Sequence, residues 1–351
     1  MDIIMDTPEF QILPEHLKLI SEIDEFKGKW QMLRNLAPDQ LSLLKRIATI
    51  ESIGSSTRIE GAGLTDSEVE RLLSGLNTTS FESRDEAEVA GYAEAMEMIF
   101  ESYDEIQISE NHIKQLHQVL LRFTSKDARH RGEYKKLPNH VEAFAANGRS
   151  LGIIFETAPP FDTPFRMKEL IQWFSEESQK GTLHPLLLMA IFIVHFLAIH
   201  PFQDGNGRLS RILTTLLLMR SGYSYVPFSS LERIVEENKD RYYLSLRRAQ
   251  STLYTNNSKL NDWLLFFLGC LRKQIFVLDS KVKTERMIAE LPPLSQEIMK
   301  IIRQHGRARV RDIQIITGAN RNTIKAHIKR LVERGELKKM GAGRGTWYRF
   351  P

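Results

Sequence analysis

The sequence predicts a mainly α-helical protein that ends in a winged helix-turn-helix. Three observations carry this. Apolar residues recur at three- and four-residue spacing through most of the chain, the mark of helices that each bury one face. Strand-like patterning is confined to two short stretches, one within 129–156 and one after residue 336. Beyond Pro292-Pro293, three short helical patterns and a glycine-rich hairpin fit into residues 290–351.

The elements follow in order. The chain up to about residue 110 reads as helical. Leu41, Leu44, Ile47 and Ala48 continue a spacing that starts near Pro38, and residues 85–100 alternate Ala and Met with acidic positions. Ser109, with Glu110 behind it, opens a helix whose apolar face is Ile113, Leu116, Leu120 and Leu121. Residues 131–134 (RGEY) and Asn147-Gly148 break the helical pattern, and Val141 with 153–155 fits short strands or a hairpin. After Pro159, Pro160 and Pro164, residues 167–178 return to helix. Residues 185–200 are nearly all apolar and too long for a buried strand, so a buried helix is expected. A polar turn over 201–207 leads to a second apolar helix carrying Leu209, Ile212, Leu213, Leu216 and Leu217. Residues 231–250 and 258–288 read as two more helices. In the tail, Ser295 is expected to cap a helix that buries Ile298, Ile301 and Ile302. Residues 310–317 make a second helix. Asn320 caps a third that carries Ile324, Ile328 and Leu331, and Gly335 closes it.

Composition limits the choice of function. A chain of 351 residues has room for two or three domains and needs no covalent staples. Its one cysteine, Cys270, rules out an intrachain disulfide framework or a cysteine-rich zinc site. Asp2, Asp6 and Glu9 make the opening residues unlike a secretory leader, and the apolar run 183–199 contains His184 and His195. A cytoplasmic protein with no membrane partner is expected. Charge is split along the chain. Residues 290–351 hold fourteen Lys and Arg against five Asp and Glu, whereas the preceding residues hold 34 against 39. That suits a nucleic-acid partner for the tail and gives the body no general reason to have one. Arg307, Arg309, Arg311, Arg321, Lys325, Lys329, Arg330 and Arg344 supply the charge.

The chemistry concentrates in residues 200–211, HPFQDGNGRLSR. His200 ends the buried helix and can act as a base near neutral pH. Gly205 and Gly207 permit a tight turn with converging amides, and the next helix adds its unpaired N–H groups and positive dipole end. This is an anion cradle suited to phosphates. Asp204 beside it suits Mg²⁺, which prefers oxygen ligands. Arg208 and Arg211, three residues apart, share a helical face. Base, metal carboxylate, anion cradle and two guanidiniums form a set fit for phosphoryl or nucleotidyl transfer. The P-loop pattern is absent.

This run resembles the Fic family signature, HxFx(D/E)GNGRxxR, at every specified position. The likeness extends over about residues 40–280, with a helical Fic (Fido) core and a small β-hairpin flap; a C-terminal winged helix is similar to one subgroup. The resemblance implies a protein adenylyltransferase that moves AMP from ATP, with Mg²⁺, to a Ser, Thr or Tyr hydroxyl of a target protein or of itself. It implies that His200 takes the hydroxyl proton and Asp204 holds the metal. Gly205, Asn206 and Gly207 would cradle phosphates, Arg208 and Arg211 would grip the phosphate chain and its end, and Phe202 would anchor the loop. Residues 56–61, STRIEG, resemble the family's inhibitory motif (S/T)xxxE(G/N) through Ser56, Glu60 and Gly61. Glu60 would then occupy Arg211 and keep the terminal phosphate out. The flap would align a target segment by strand addition. The same architecture admits two other readings: removal of AMP, or a nucleotide-sensing regulator that binds DNA. Tyr223, Tyr225, Tyr242 and Tyr243 are candidates for contact with the base or for self-modification, and equally for helix packing. The expected organisation is an N-terminal helical region with the inhibitory helix (1–110), a catalytic core (111–289) and a winged helix-turn-helix (290–351), in a homodimer.

Overall fold

The computed structural model describes residues 10–33, 38–75, 81–139, 141–144, 150–253, 255 and 258–351. Among them are fourteen α-helices and four short strands, and the chain divides into two compact units, residues 1–278 and 279–351. The first unit begins with α1 (Pro14–Leu33), which buries His16, Ile20, Ile23, Phe26 and Trp30 on one stripe. Then come α2 (Pro38–Ile59), α3 (Asp66–Ser74), α4 (Arg84–Ser102) and α5 (Glu110–Leu120). Ser83 and Ser109 cap the last two by accepting from the Glu86 and His112 amides. Thr65 and Glu68 close a full capping box on α3.

Strands β1 (Val141–Phe144) and β2 (Ser150–Phe155) pair antiparallel, with Val141 opposite Phe155 and register breaks on either side of Glu142-Ala143. This is the small hairpin expected from the sequence; its Asn147-Gly148 turn lies outside the described residues. Helix α6 (Thr163–Lys180) follows and packs on α7 (Pro185–Ile199). Every residue of α7 from Leu186 to Ile199 is buried, so this helix is the centre of the unit. Helix α8 (Asn206–Arg220) packs beside it and is also buried almost throughout.

The expected single helix over 231–250 is two, α9 (Leu231–Glu237) and α10 (Lys239–Gln250). Asn238 interrupts it: its backbone leaves the helical region, at φ −122° and ψ 30°, and its Nδ2 turns back to donate to the Ile234 carbonyl at 2.7 Å. Helix α11 (Leu260–Ala289) is long, and the division between the two units falls inside it. Its Trp263 Nε1 donates to the Ala190 carbonyl in the middle of α7 at 2.7 Å.

The second unit contains α12 (Pro293–His305), α13 (Val310–Thr317), α14 (Arg321–Glu333), β3 (Lys338–Met340) and β4 (Trp347–Arg349). The two strands pair antiparallel, and Ala308 adds a reciprocal backbone bridge to Tyr348. Ile298, Ile302, Ile313, Ile324, Ile328, Leu331 and Leu337 form its own core. This is the expected winged helix. Ser295 does not cap α12, because Pro293 already starts it. Instead Ser295 is buried, with its hydroxyl 2.7 Å from His327 Nδ1. No helix among the described residues is long and apolar enough to cross a membrane.

One glycine shows how tightly the core is closed. Gly91 in α4 faces the last turn of α5, where a Cβ would overlap the Leu120 carbonyl. Helix propensity alone predicts that Gly91→Ala stabilises by about 1 kcal/mol. The close approach reverses the sign: an overpacking cost of about 1–3 kcal/mol is expected, read as a lower midpoint in thermal or urea unfolding.

Candidate active site

The loop between α7 and α8 is held from all sides. His200 caps α7 in the left-handed region, φ 54°, ψ 59°, and is the one non-glycine residue with positive φ among the described residues. Its Nδ1 lies 3.3 Å from the Leu197 carbonyl. A carbonyl only accepts, so Nδ1 carries the proton and Nε2 is left with the lone pair. Burial lowers the His200 pKa to about 4, and the nearby charge of Lys135 adds to the effect.

Phe202 is fully buried and stacks on His117 of α5, with ring centroids 3.8 Å apart and planes 13° apart. Asn206, the first residue of α8, clasps the Phe202 backbone twice: it accepts from the amide at 2.9 Å and donates to the carbonyl at 2.7 Å. Its side chain staples the loop, and its backbone amide is what remains for an anion. That amide, with those of Gly207 and Arg208, belongs to the first helical turn, which has no intrahelical acceptor.

His117 carries no sequence signal of its own, because it sits on the buried face of α5 with Ile113, Leu116 and Leu120. It accepts from the Gly132 amide at Nδ1 (3.0 Å), so Nε2 carries the proton and donates to the Asp204 carbonyl (3.0 Å). Burial holds its pKa at about 4, which keeps this tautomer neutral. Lys135 and Asn139 support the loop from the flap side. Lys135 Nζ donates to Asn139, Thr157 and the Ile199 carbonyl, at 2.8, 2.9 and 3.0 Å, and Asn139 Nδ2 donates to the carbonyls of His200 and Phe202.

Gly205 and Gly207 have different tasks. Gly205 is the N-cap of α8 at φ 80°, where glycine is favoured. Gly207 is helical; a Cβ there would run into the Glu60 carboxylate. Glu60 thus lies against the first turn of α8, in the anion cradle itself. Its Oε1 accepts from Arg211 Nη2 at 2.7 Å. The same guanidinium donates to the Ser56 hydroxyl (2.7 Å) and carbonyl (2.9 Å). Burial opposes the Arg211 charge, and Glu60 restores it, so the arginine stays firmly cationic. Gly61, at φ 105°, turns the chain away directly after Glu60.

Arg208 shares the helical face but has other partners. It meets Glu88 of α4 at 2.8 Å and Asp204 at 3.4 Å. Arg84 bridges the other oxygens of these two carboxylates, at 2.7 Å to Glu88 and 2.8 Å to Asp204. Four alternating charges close a ring, which spacing along the sequence does not reveal. Burial opposes the Asp204 charge, but Arg208, the Gly205 amide and Arg84 outweigh it and hold the carboxyl below its ordinary value. Asp204 is the most exposed acid of the ring save for its arginine contacts and stands beside the first turn of α8. One carboxylate next to a phosphate cradle fits Mg²⁺, which keeps water and takes substrate phosphates for the remaining positions. Among the described residues no group of three or more His, Cys, Asp or Glu is placed to hold a metal unaided. Tyr223, Tyr225 and Tyr242 are buried packing residues, whereas Tyr243 is partly exposed and its hydroxyl reaches the Ile59 carbonyl at 3.4 Å.

Comparisons with known proteins bear on the family and the fold. Residues 107–218 match the Fic/DOC family, and residues 291–350 match the penicillinase repressor family. The protein adenylyltransferase Fic of Drosophila yakuba is 29% identical over 273 residues, covering 77% of this chain and 48% of that protein. Its counterpart in Drosophila mojavensis is 28% identical over 267 residues, covering 76% and 47%. The chain thus spans about half the length of these curated relatives. Among solved structures, a Fic-domain-containing signalling protein from Bacteroides thetaiotaomicron superposes with a TM-score of 0.60 at 27% identity, over 75% of this chain and 97% of that one. A Fic family protein from Desulfovibrio desulfuricans shares the fold over 99% and 98% of the two chains, with a TM-score of 0.63 at 23% identity.

The lowered pKa of His200 has a direct consequence for pH dependence. A base is lost when it takes up a proton, so for any reaction that uses His200 as its base the acidic limb of kcat/KM is expected near pH 4 and not near 6.5. Glu60 favours the protonated form, so E60G moves this limb further down. A pH–rate profile of both proteins checks the position and the direction.

Proposed function

Because residues 107–218 form a Fic/DOC family domain, we propose that this chain is a protein adenylyltransferase that moves AMP from ATP to a Ser, Thr or Tyr hydroxyl and is restrained by Glu60. The observation that carries the reading is the pairing of two features on one fixed loop. His200 has Nδ1 tied to a carbonyl and Nε2 left basic, and the first turn of α8 with Arg211 forms a cradle that already holds a carboxylate.

His200 Nε2 takes the proton of the incoming hydroxyl. The oxygen then bonds to the α-phosphorus, the bond from that phosphorus to the bridging oxygen of the β-phosphate breaks, and pyrophosphate departs with the electron pair. The α8 amides and the two guanidiniums stabilise the charge that develops on the phosphate oxygens. Asp204 would hold Mg²⁺, which supplies charge neutralisation on the phosphates. Glu60 opposes all this by competition, since a carboxylate and a phosphate suit the same guanidinium fork.

E60G is therefore expected to raise AMP incorporation into protein, with ATP and Mg²⁺ saturating, while His200→Ala in that background lowers it by about 10²–10⁴-fold. Mass spectrometry of AMP adducts on self or added protein reads both changes. E60G that loses AMP release from a modified protein, without gaining transfer, would favour the reverse reaction, in which the glutamate serves the attacking water.

The penicillinase repressor match favours a second role for the last unit, DNA binding. Arg321, Lys325 and Lys329 lie exposed along α14, while Arg307 is stacked over Trp347. The Arg344 side chain lies outside the described ones. Arg321→Ala and Lys325→Ala are each expected to weaken duplex binding and to reduce the slope of log affinity against log salt by about one where the side chain neutralises a phosphate. A titration at several salt concentrations measures this.

A further inference from the structure

The inhibitory turn is held from its far side by a charge cluster that the Glu60 motif does not include. Arg58 stands in the last turn of α2, two residues before Glu60, and at about 100° per residue the two side chains leave the helix on nearly opposite faces. Glu60 faces α8 and Arg58 faces α3 and α9. Arg58 donates to both oxygens of Glu236 in α9, at 2.6 and 3.0 Å, to the Leu64 carbonyl at 2.9 Å and to the Ser55 hydroxyl at 3.2 Å. It also pairs with Asp66, the first residue of α3, at 2.9 Å, and Arg233 of α9 ties the other Asp66 oxygen at 3.1 Å.

An independent feature says that this arrangement is built in. At Gly54, one turn earlier in α2, a Cβ would come within 2.7 Å of Arg58 Nη1 and 2.9 Å of Asp66 Oδ1, so a side chain there would push the ion pair aside. The glycine sits inside a helix at a cost in helix stability, and the space it leaves is filled by the ion pair. Lys239 and Tyr243 of α10 reach the last carbonyls of α2, those of Arg58 and Ile59, at 3.5 and 3.4 Å. Fixing the end of the helix matters because Glu60 itself lies past its last residue, on a turn made by the bonds Glu60 N to Thr57 O and Gly61 N to Arg58 O.

We propose that Arg58, latched to Glu236 and Asp66, is the positioning residue that presents Glu60 to Arg211, so that releasing the latch relieves inhibition without touching the nucleotide machinery. This rests on the autoinhibitory reading above. Glu60 divides its time between bound and released states, and only the released state turns over. When the bound state dominates, loss of a contact made only in that state raises the active fraction by the coupling factor.

The test uses the full chain and four proteins: Glu236→Gln, Arg58→Met, E60G, and E60G combined with Glu236→Gln. Glu236→Gln is the mild change, since it keeps shape and lies outside the core; Arg58→Met removes the charge entirely. AMP incorporation from ATP and Mg²⁺ is measured alongside backbone hydrogen exchange of a peptide spanning 55–64. The expected result is a rise in incorporation of about fivefold for Glu236→Gln and more for Arg58→Met, with faster exchange confined to that peptide. In the E60G background Glu236→Gln should add nothing. A fall in both backgrounds would mean that the cluster only supports the fold, and an equal rise in both would mean that it acts elsewhere; either outcome overturns the latch. So does an unchanged rate with unchanged exchange in Glu236→Gln and Arg58→Met. Failure of E60G to gain transfer overturns the autoinhibitory reading itself, and is told apart because it appears without any latch substitution.

Discussion

A buried guanidinium must be answered. Arg211 is buried in α8, and two of its hydrogen bonds go to Ser56, which is neutral. Neutral acceptors cannot meet the cost of taking a cation out of water, so an anion has to complete the set. Glu60 does so here, against the Cα of Gly207 and the first turn of α8. A phosphate meets the same need with the same geometry. Two anions that satisfy one requirement exclude each other. The proposed regulation is in this sense a consequence of burying the arginine.

The other half of the site depends on rigidity. Phe202 is anchored by ring stacking from α5 and by a double clasp from Asn206, and His117 reaches on to the backbone of Asp204. Asn139 and Lys135 add donors from the flap side. These contacts make the left-handed conformation of His200 affordable, and they leave its basic nitrogen oriented before any substrate arrives. Such preorganisation is what the proposed transfer would need, because phosphoryl chemistry asks the protein mainly for position and charge.

Much of this was legible in the sequence because the local rules agree with one another. The apolar run before His200 has no polar face, so it had to be a central helix, and α7 is. Ser109 and Asn320 stood at caps and serve as caps. What was not legible depends on contacts between distant segments. Gly207 reads from sequence as turn flexibility, whereas in the fold its Cα lies against a carboxylate 147 positions earlier in the chain. His117 looks like one more member of an apolar face, because its ring packs while only its nitrogens act. Ser295 failed as a cap since proline two residues before it had already set the helical φ. Asn238 split a helix that periodicity carried straight through, because its side chain competes for a backbone carbonyl.

The two arginines of α8 face one way and yet serve different ends, and the difference lies in where their carboxylates are rooted. Glu88 stands in the second turn of α4, is buried, and is locked by Arg84 as well as Arg208. Arg208 thus has a buried counter-ion in Glu88, and its second partner, Asp204, is the ring's exposed acid. Glu60 follows the end of a helix and precedes a glycine at φ 105°, so its carboxylate is not rooted within a helix. A carboxylate fixed within a helix neutralises; one placed at a helix terminus can exchange. The same kind of ion pair, three residues apart on one helix, is thus scaffold in the first case and the proposed switch in the second.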